Sequence, residues 1–224
     1  MGLNIGSSPM TAARVGSTPI SKVFVGSQEV WPSYTPPADK VLYWSSQVTA
    51  GVSGTFPSHV AGDLLVVVAG ATSALYPTVP TGWTKAYQTP DTNRPMVIGW
   101  KAATASGTAS GSWSNAAYVT TYVFRGVDTT NPFGSIDTAL SATSPAITPV
   151  DPSGRSQIVH TRWQSGGTGT WSTTVPNLKA RNTVASMCNG EQIDTRTAPE
   201  LTWAISGGTP AYRSLVFEIC APPL

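Results

Sequence analysis

Three times in the first thirty residues the chain writes an apolar β-branched residue followed by Gly-Ser: Ile5-Gly6-Ser7, Val15-Gly16-Ser17 and Val25-Gly26-Ser27, ten residues apart. Pro9 and Pro19 echo one another, as do Met10, Ile20 and Val30. A repeat this short is one supersecondary unit per copy. Each Gly-Ser falls where two short β segments meet, and glycine supplies the positive φ that tight turns need. The pattern predicts a small β meander over residues 1–31. About thirty residues cannot enclose a stable core without a metal, disulfides or a partner. Alternation also leaves apolar groups on both faces, with Ile20 and Phe24 on one and Val23 and Val25 on the other. Such a segment is expected to dock on another subunit, with Ile5, Val15, Ile20, Val23, Phe24, Val25 and Trp31 as the assembly candidates.

Pro32, Pro36 and Pro37 mark residues 32–40 as an extended, semi-rigid spacer. Beyond it, the composition speaks for strands. Only 11% of residues are charged while Gly and Pro number 21 and 19, and no run carries a helical period. Thr, Val, Trp and Tyr are abundant, so residues 41–224 are expected to form an antiparallel β-sandwich and the whole chain to be all-β. Strands are expected at 41–45, 63–69, 83–88, 96–102, 117–125, 157–163, 184–188, 191–193 and 212–220. The dipeptide Asn189-Gly190 suits a two-residue type I′ turn and predicts a hairpin between the seventh and eighth of these. Leu64-Leu65-Val66-Val67-Val68 is apolar on both faces, as a central strand covered on both sides would be. The sandwich also carries the marks of an internal duplication. Gly62-Asp63-Leu64-Leu65-Val66-Val67 aligns with Gly154-Arg155-Ser156-Gln157-Ile158-Val159, Trp113 with Trp203, and Ala117-Tyr118 with Ala211-Tyr212. Two strand-rich halves of an ordinary Greek-key sandwich are the alternative.

The opening stretch from Val15 to Trp31 resembles the N-terminal segments of minor tail and tail-tip proteins of long-tailed bacteriophages, particularly those infecting Actinobacteria. Ala61-Gly62-Asp63-Leu64-Leu65-Val66, Pro80-Thr81-Gly82-Trp83-Thr84 and Val123-Phe124-Arg125-Gly126-Val127-Asp128 are similar to the jelly-roll-like sandwich that such proteins often carry. The order of hairpin repeat, Pro-rich spacer and sandwich carries the resemblance. It implies a virion structural protein of the tail, made in the host cytoplasm. Its partners would be other tail subunits and copies of itself in a symmetric assembly. A host-surface glycan-binding module of the tail and a capsid decoration protein are the alternatives. The family has no shared catalytic motif, so the resemblance implies no enzyme.

The residues themselves agree with that expectation. There is no nucleophile elbow, zinc-protease helix, Cys-x-x-Cys pair, phosphate-binding loop or dinucleotide fingerprint, so no catalytic, cofactor or metal residue is assigned. The two histidines, His59 and His160, read as structural, since a histidine base needs an orienting partner. Asp63, Asp128, Asp137, Glu191, Asp194 and Glu200 could pair as glycosidase carboxylates only by accident of folding. Of the eight tryptophans, Trp171 in a Gly- and Thr-rich stretch is the one expected on a loop tip, with Tyr76 a second loop aromatic. These two are the glycan-binding candidates. Trp83, Trp100, Trp113, Trp163 and Trp203 are expected in the core. A net charge of +2 with scattered Lys and Arg argues against nucleic acid. The longest apolar run, 64–69, is too short to cross a bilayer, and the opening residues match neither a secretory signal nor a myristoylation site. Cys188 and Cys220 are expected as free thiols.

Overall fold

The computed structural model describes residues 4–5, 8–9, 14–15, 18–19, 23–25, 28–31, 39–141, 143–165, 170–172, 178–184, 187–192, 194–202, 204–206 and 211–224. The chain divides into two compact units, Met1–Pro36 and Pro37–Leu224. In the first unit the described residues form three hairpins, each closing around one Gly-Ser. Ile5 pairs with Ser8, Val15 with Thr18, and Val25 with Gln28. Among the described residues no ladder joins one hairpin to the next. Ladders of two to four residues a side give little edge on which a further strand could pair.

The second unit is an all-β sandwich of two five-stranded antiparallel sheets. The first sheet uses β1 (Leu42–Ala50), β2 (Leu64–Gly70), β3 (Thr84–Gln88), β4 (Met96–Ala102) and β5 (Tyr118–Arg125) in the order β1-β5-β2-β4-β3. The second uses β6 (Phe133–Ala139), β7 (Gln157–Ser165), β8 (Leu178–Val184), β9 (Met187–Gln192) and β10 (Ala211–Ile219) in the order β6-β10-β7-β9-β8. A jelly roll deals successive strands to opposite sheets, whereas this chain completes one sheet before it starts the other and crosses once, between β5 and β6. The jelly-roll-like wiring implied by the family resemblance is therefore not the connectivity present. Local antiparallel pairing is satisfied within each half, which removes any need to trade strands.

The sheets meet through alternate residues of their central strands. Leu64, Val66 and Val68 of β2 and Tyr122 and Phe124 of β5 bury against Val159 and Trp163 of β7 and Leu215, Phe217 and Ile219 of β10. The outer face of the first sheet is covered as well, because the connections β1–β2, β2–β3 and β4–β5 all lie across it. Leu65, Val67, Ala69, Val119 and Val123 pack there under Phe56, Tyr76, Val79, Trp83 and Trp113. Hence all seven residues of β2 are buried, as the two-sided apolar run predicts.

The expected Asn189-Gly190 hairpin is overturned. Val184 pairs with Met187, so the chain reverses between those residues, and Asn189 and Gly190 sit in mid-strand, fully paired to β7 and β8. The space decides it. A Cβ at Gly190 would lie 3.1 Å from Leu178 side-chain carbons and from the Lys179 carbonyl oxygen. Asn189 is buried and its Oδ1 accepts hydroxyl hydrogen bonds from Tyr43 at 3.1 Å and Ser46 at 3.3 Å across the sandwich.

Candidate functional site

Both histidines are held as parts of the framework. His59 lies in the β1–β2 connection, its Nδ1–H donating to the Pro57 carbonyl at 2.8 Å and its Nε2 accepting the Thr108 N–H at 3.0 Å. It thus ties together two loops that cover the first sheet. His160 is fully buried on the outer face of β7. The Gln192 amide nitrogen donates to the carbonyls of Asp194 and Thr197, which leaves its Oε1 for His160 Nε2 at 3.2 Å. His160 Nε2 therefore carries the proton, and Nδ1 accepts the Ser144 hydroxyl at 3.0 Å. A serine beside a histidine has the outline of a nucleophile and base, but Ser144 is fully buried and a neutral amide stands where an orienting carboxylate would. Burial lowers the His160 pKa to about 4, with the Gln192 hydrogen bond opposing.

Five of the six carboxylates flagged as glycosidase candidates accept nearby backbone N–H groups or stand beside a cation. Asp63 is buried, accepts the Val60 N–H at 2.9 Å and pairs with Arg125 at 2.9 Å. Asp128 accepts the Thr130 and Asn131 N–H groups in a turn. Asp137 accepts the Thr138 N–H, Glu191 lies 3.8 Å from Lys179, and Asp194 pairs with Arg196. Glu200 is exposed. A seventh, Glu218, is fully buried on β10 and accepts the N–H groups of Ser135, Val150 and Asp151 at 3.2, 2.7 and 3.1 Å. Its room comes from Gly134, where a Cβ would run into the carboxylate. Among the described residues no group of three or more His, Cys, Asp or Glu could hold a metal ion. Cys188 and Cys220 are free thiols. The Cys220 pKa is pushed up to about 12 by burial and by the neighbouring Glu218, Asp128 and Asp151 carboxylates.

The tryptophans expected in the core are there where they are described, while the two expected loop aromatics are placed otherwise. Trp113 and Trp163 are fully buried, and Trp83 and Trp100 are half-buried against the two cores. Trp203 lies outside the described residues. Tyr76 packs into the outer cluster of the first sheet, its hydroxyl donating to the Thr89 carbonyl at 3.0 Å. Trp171 is not on a loop tip, since residues Thr170–Ser172 form a strand opposite Ala204–Ser206 with Trp171 paired to Ile205. Cross-strand pairing has absorbed what composition marks as loop. Its side chain lies outside the described residues, as do those of Ile5, Val15, Val23, Phe24, Val25 and Trp31. Ile20 lies outside them altogether.

The exposed aromatic that the structure does present is Trp44, 44% exposed on the edge strand β1. Phe124 pairs with Tyr43 and Val123 with Ser45, so Trp44 is the extra residue of a β-bulge, a device that re-aims a side chain. The Arg125 guanidinium lies over the indole at 3.7 Å and is itself anchored by Asp63. Leu42, half exposed, pairs with Arg125. The result is a flat aromatic surface held from behind by a fixed cation, with polar Ser45, Gln47 and Thr55 nearby along the chain or across a hydrogen bond. Sequence reasoning passed over Trp44 because a bulge depends on the partner strand. Comparisons with protein-family models, with curated proteins and with solved structures find no match. Among the described residues no helix is long and apolar enough to cross a membrane.

Proposed function

We propose that this chain is a virion structural protein, a minor tail protein that attaches through its N-terminal hairpins and displays the sandwich from the tail. One observation carries the reading: three hairpins at a ten-residue spacing, each closed on Gly-Ser, precede a proline-rich stretch and a sandwich. Hairpins of that size need a surface to complete them. Other tail subunits would supply it, and several copies would attach together in a symmetric assembly. Deleting residues 1–31 tests this directly. The shortened chain is expected to keep a strand-dominated circular dichroism spectrum and to be absent from purified particles, and incorporation at the normal level would transfer attachment to the sandwich.

A second reading, a glycan-binding module on the same tail, is favoured by the bulge-presented Trp44. A rigid indole with one face clamped suits the C–H face of a pyranose ring, and the Arg125 edge and nearby polar groups suit its hydroxyls. On this reading Trp44→Ala weakens binding to host cell-wall polysaccharide by about 2 kcal/mol, roughly thirtyfold, as loss of an aromatic anchor does. Equal binding by the two proteins in a pull-down series would remove Trp44 from any glycan site.

A further inference from the structure

We propose that the sandwich is two tandem copies of one five-stranded module, 42–125 and 133–219, that recognise each other face to face and have diverged into complementary partners. The strand orders β1-β5-β2-β4-β3 and β6-β10-β7-β9-β8 are one order written twice. Any fold might repeat an order; setting Gly70 level with Trp163 carries the correspondence outward through each ladder, and the irregularities then test it. Gly70 pairs with Tyr118 and Met96, and Trp163 pairs with Arg213 and Met187. Leu64 pairs with Phe124, and Gln157 with Ile219. Gly99 lies opposite Val67 and Lys85, and Gly190 opposite His160 and Ala180.

The irregularities repeat as well. In the first module two residues, Trp44 and Ser45, face the single residue Val123, between the pairs Tyr43–Phe124 and Ser46–Tyr122. In the second, Gly134 and Ser135 face Glu218, between Phe133–Ile219 and Ile136–Phe217. A further extra residue, Ala86, falls between the pairs Tyr87–Ile98 and Lys85–Gly99, and its counterpart Arg181 between Asn182–Asn189 and Ala180–Gly190. Bulges are specific features of a family of sheets, and two at matching places in four matching ladders mark common descent of the halves. The register also corrects the alignment suggested by the sequence. Val67 corresponds to His160 and Tyr118 to Arg213, one residue on from the matches with Val159 and Tyr212, and a slip of one would turn every side chain to the wrong face.

The modules meet as a two-fold pair does. At one edge β1 lies against β8. At the other, Tyr87 of β3 is close enough to Asp137 of β6 for that carboxylate to help burial raise its pKa. Exchanging the modules exchanges those two edges. In an isologous contact a residue near the axis faces its own counterpart. Gly70 does face Trp163: a Cβ on Gly70 would stand 3.2 Å from the indole. Two copies of the first module would bring glycine against glycine and leave a void, while two copies of the second would drive tryptophan into tryptophan. Small against large is the one arrangement that fills the interface. A second asymmetry reinforces it. The connection from β3 to β4 carries Asp91 and Asn93, whose carboxylate and carbonyl hold the buried Arg213 at 2.6 Å each. The β8–β9 connection is shorter, with Val184 and Met187 already paired. Each module's inner face is thus a binding surface whose partner is the other copy, covalently supplied.

The test exchanges knob and hole in the full-length chain. Gly70→Trp and Trp163→Gly are each expected to lower the thermal midpoint by about 10 °C, through overpacking in one and a cavity in the other. The double variant is expected to recover at least half of that loss, because the two sites are equivalent about the axis. A control pairs Trp163→Gly with Val68→Trp, which restores volume at a neighbouring inward position on the same strand, and no recovery is expected there. Where a single variant fails to fold, a folded double variant supports the proposal. Additive losses, an unfolded double variant, or equal recovery by the Val68 control would each overturn it.

Discussion

Trp113→Ala is expected to destabilise the protein by about 4 kcal/mol, in the range of large aromatic truncations in well-packed sites. The residue sits in the β4–β5 connection, yet it is fully buried and organises the cover of the first sheet. Its indole N–H donates to the Ser110 carbonyl at 3.0 Å. Its ring meets Trp83 edge-on at 5.6 Å between centroids. Beneath it lies Gly99, where a Cβ would fall 2.5 Å from the ring, so the strand has given up a side chain to let the indole down onto the sheet. The Trp113 backbone N–H donates to Val52 at 2.7 Å, which ties two crossing loops together. No neighbouring strand can move in to fill the space, because Val67, Val97 and Val119 are fixed by their ladders. Chemical denaturation of the two proteins gives the value. A loss below about 1 kcal/mol would mean that the loops re-form over the sheet without their central ring.

The strands that were legible in the sequence are those whose side chains alone define an environment. β2 reads as doubly covered because five consecutive residues are apolar, and β5 and β10 read as strands from strict alternation with aromatic and β-branched residues. The two full-length strands that were missed, β6 and β8, are edges. Phe133–Ala139 is interrupted by Gly134-Ser135, a pair that fits only against the Glu218 carboxylate, and Leu178–Val184 is polar, with Lys179 facing water. Neither pattern has a meaning until the neighbouring strand is in place. Asn189-Gly190 failed for the same reason. A turn propensity of local origin lost to a strand buried between two others, where the glycine answers Leu178 and the asparagine answers Tyr43 and Ser46. The surface that the structure offers for binding was illegible because the position of Trp44 outside the ladder is a property of β1 and β5 together. The repeat of bulges between the halves belongs to the same class. It is written in pairing, and only three of the matched positions above, the methionines of β4 and β9, the glycines that follow them and the bulge residues Ser45 and Ser135, keep the same residue.

His160 sets the expected response to acid. In the unfolded chain its imidazole titrates near 6.5, whereas in the folded protein burial holds it at about 4. Between those values the unfolded state binds a proton that the folded state refuses. Stability is therefore fully present above about pH 6.5 and falls as the pH drops toward 4, by about 3 kcal/mol in all from this one residue. The geometry explains why the folded protein cannot adapt. Gln192 presents an acceptor to Nε2 and is locked in that orientation by the Asp194 and Thr197 carbonyls, while Nδ1 is the acceptor of the Ser144 hydroxyl. A second ring proton would force the Ser144 hydroxyl to turn from donor to acceptor and would place a charge on a face that is closed to water. Replacing His160 with Gln keeps a group able to bond at this site and removes the titration. Urea midpoints measured from pH 7.5 to 4.5 are expected to fall more steeply for the native protein than for His160→Gln, whatever the offset between them at neutral pH. Parallel profiles would show that His160 takes up its proton within the folded state, and that the cover over β7 opens to let it do so.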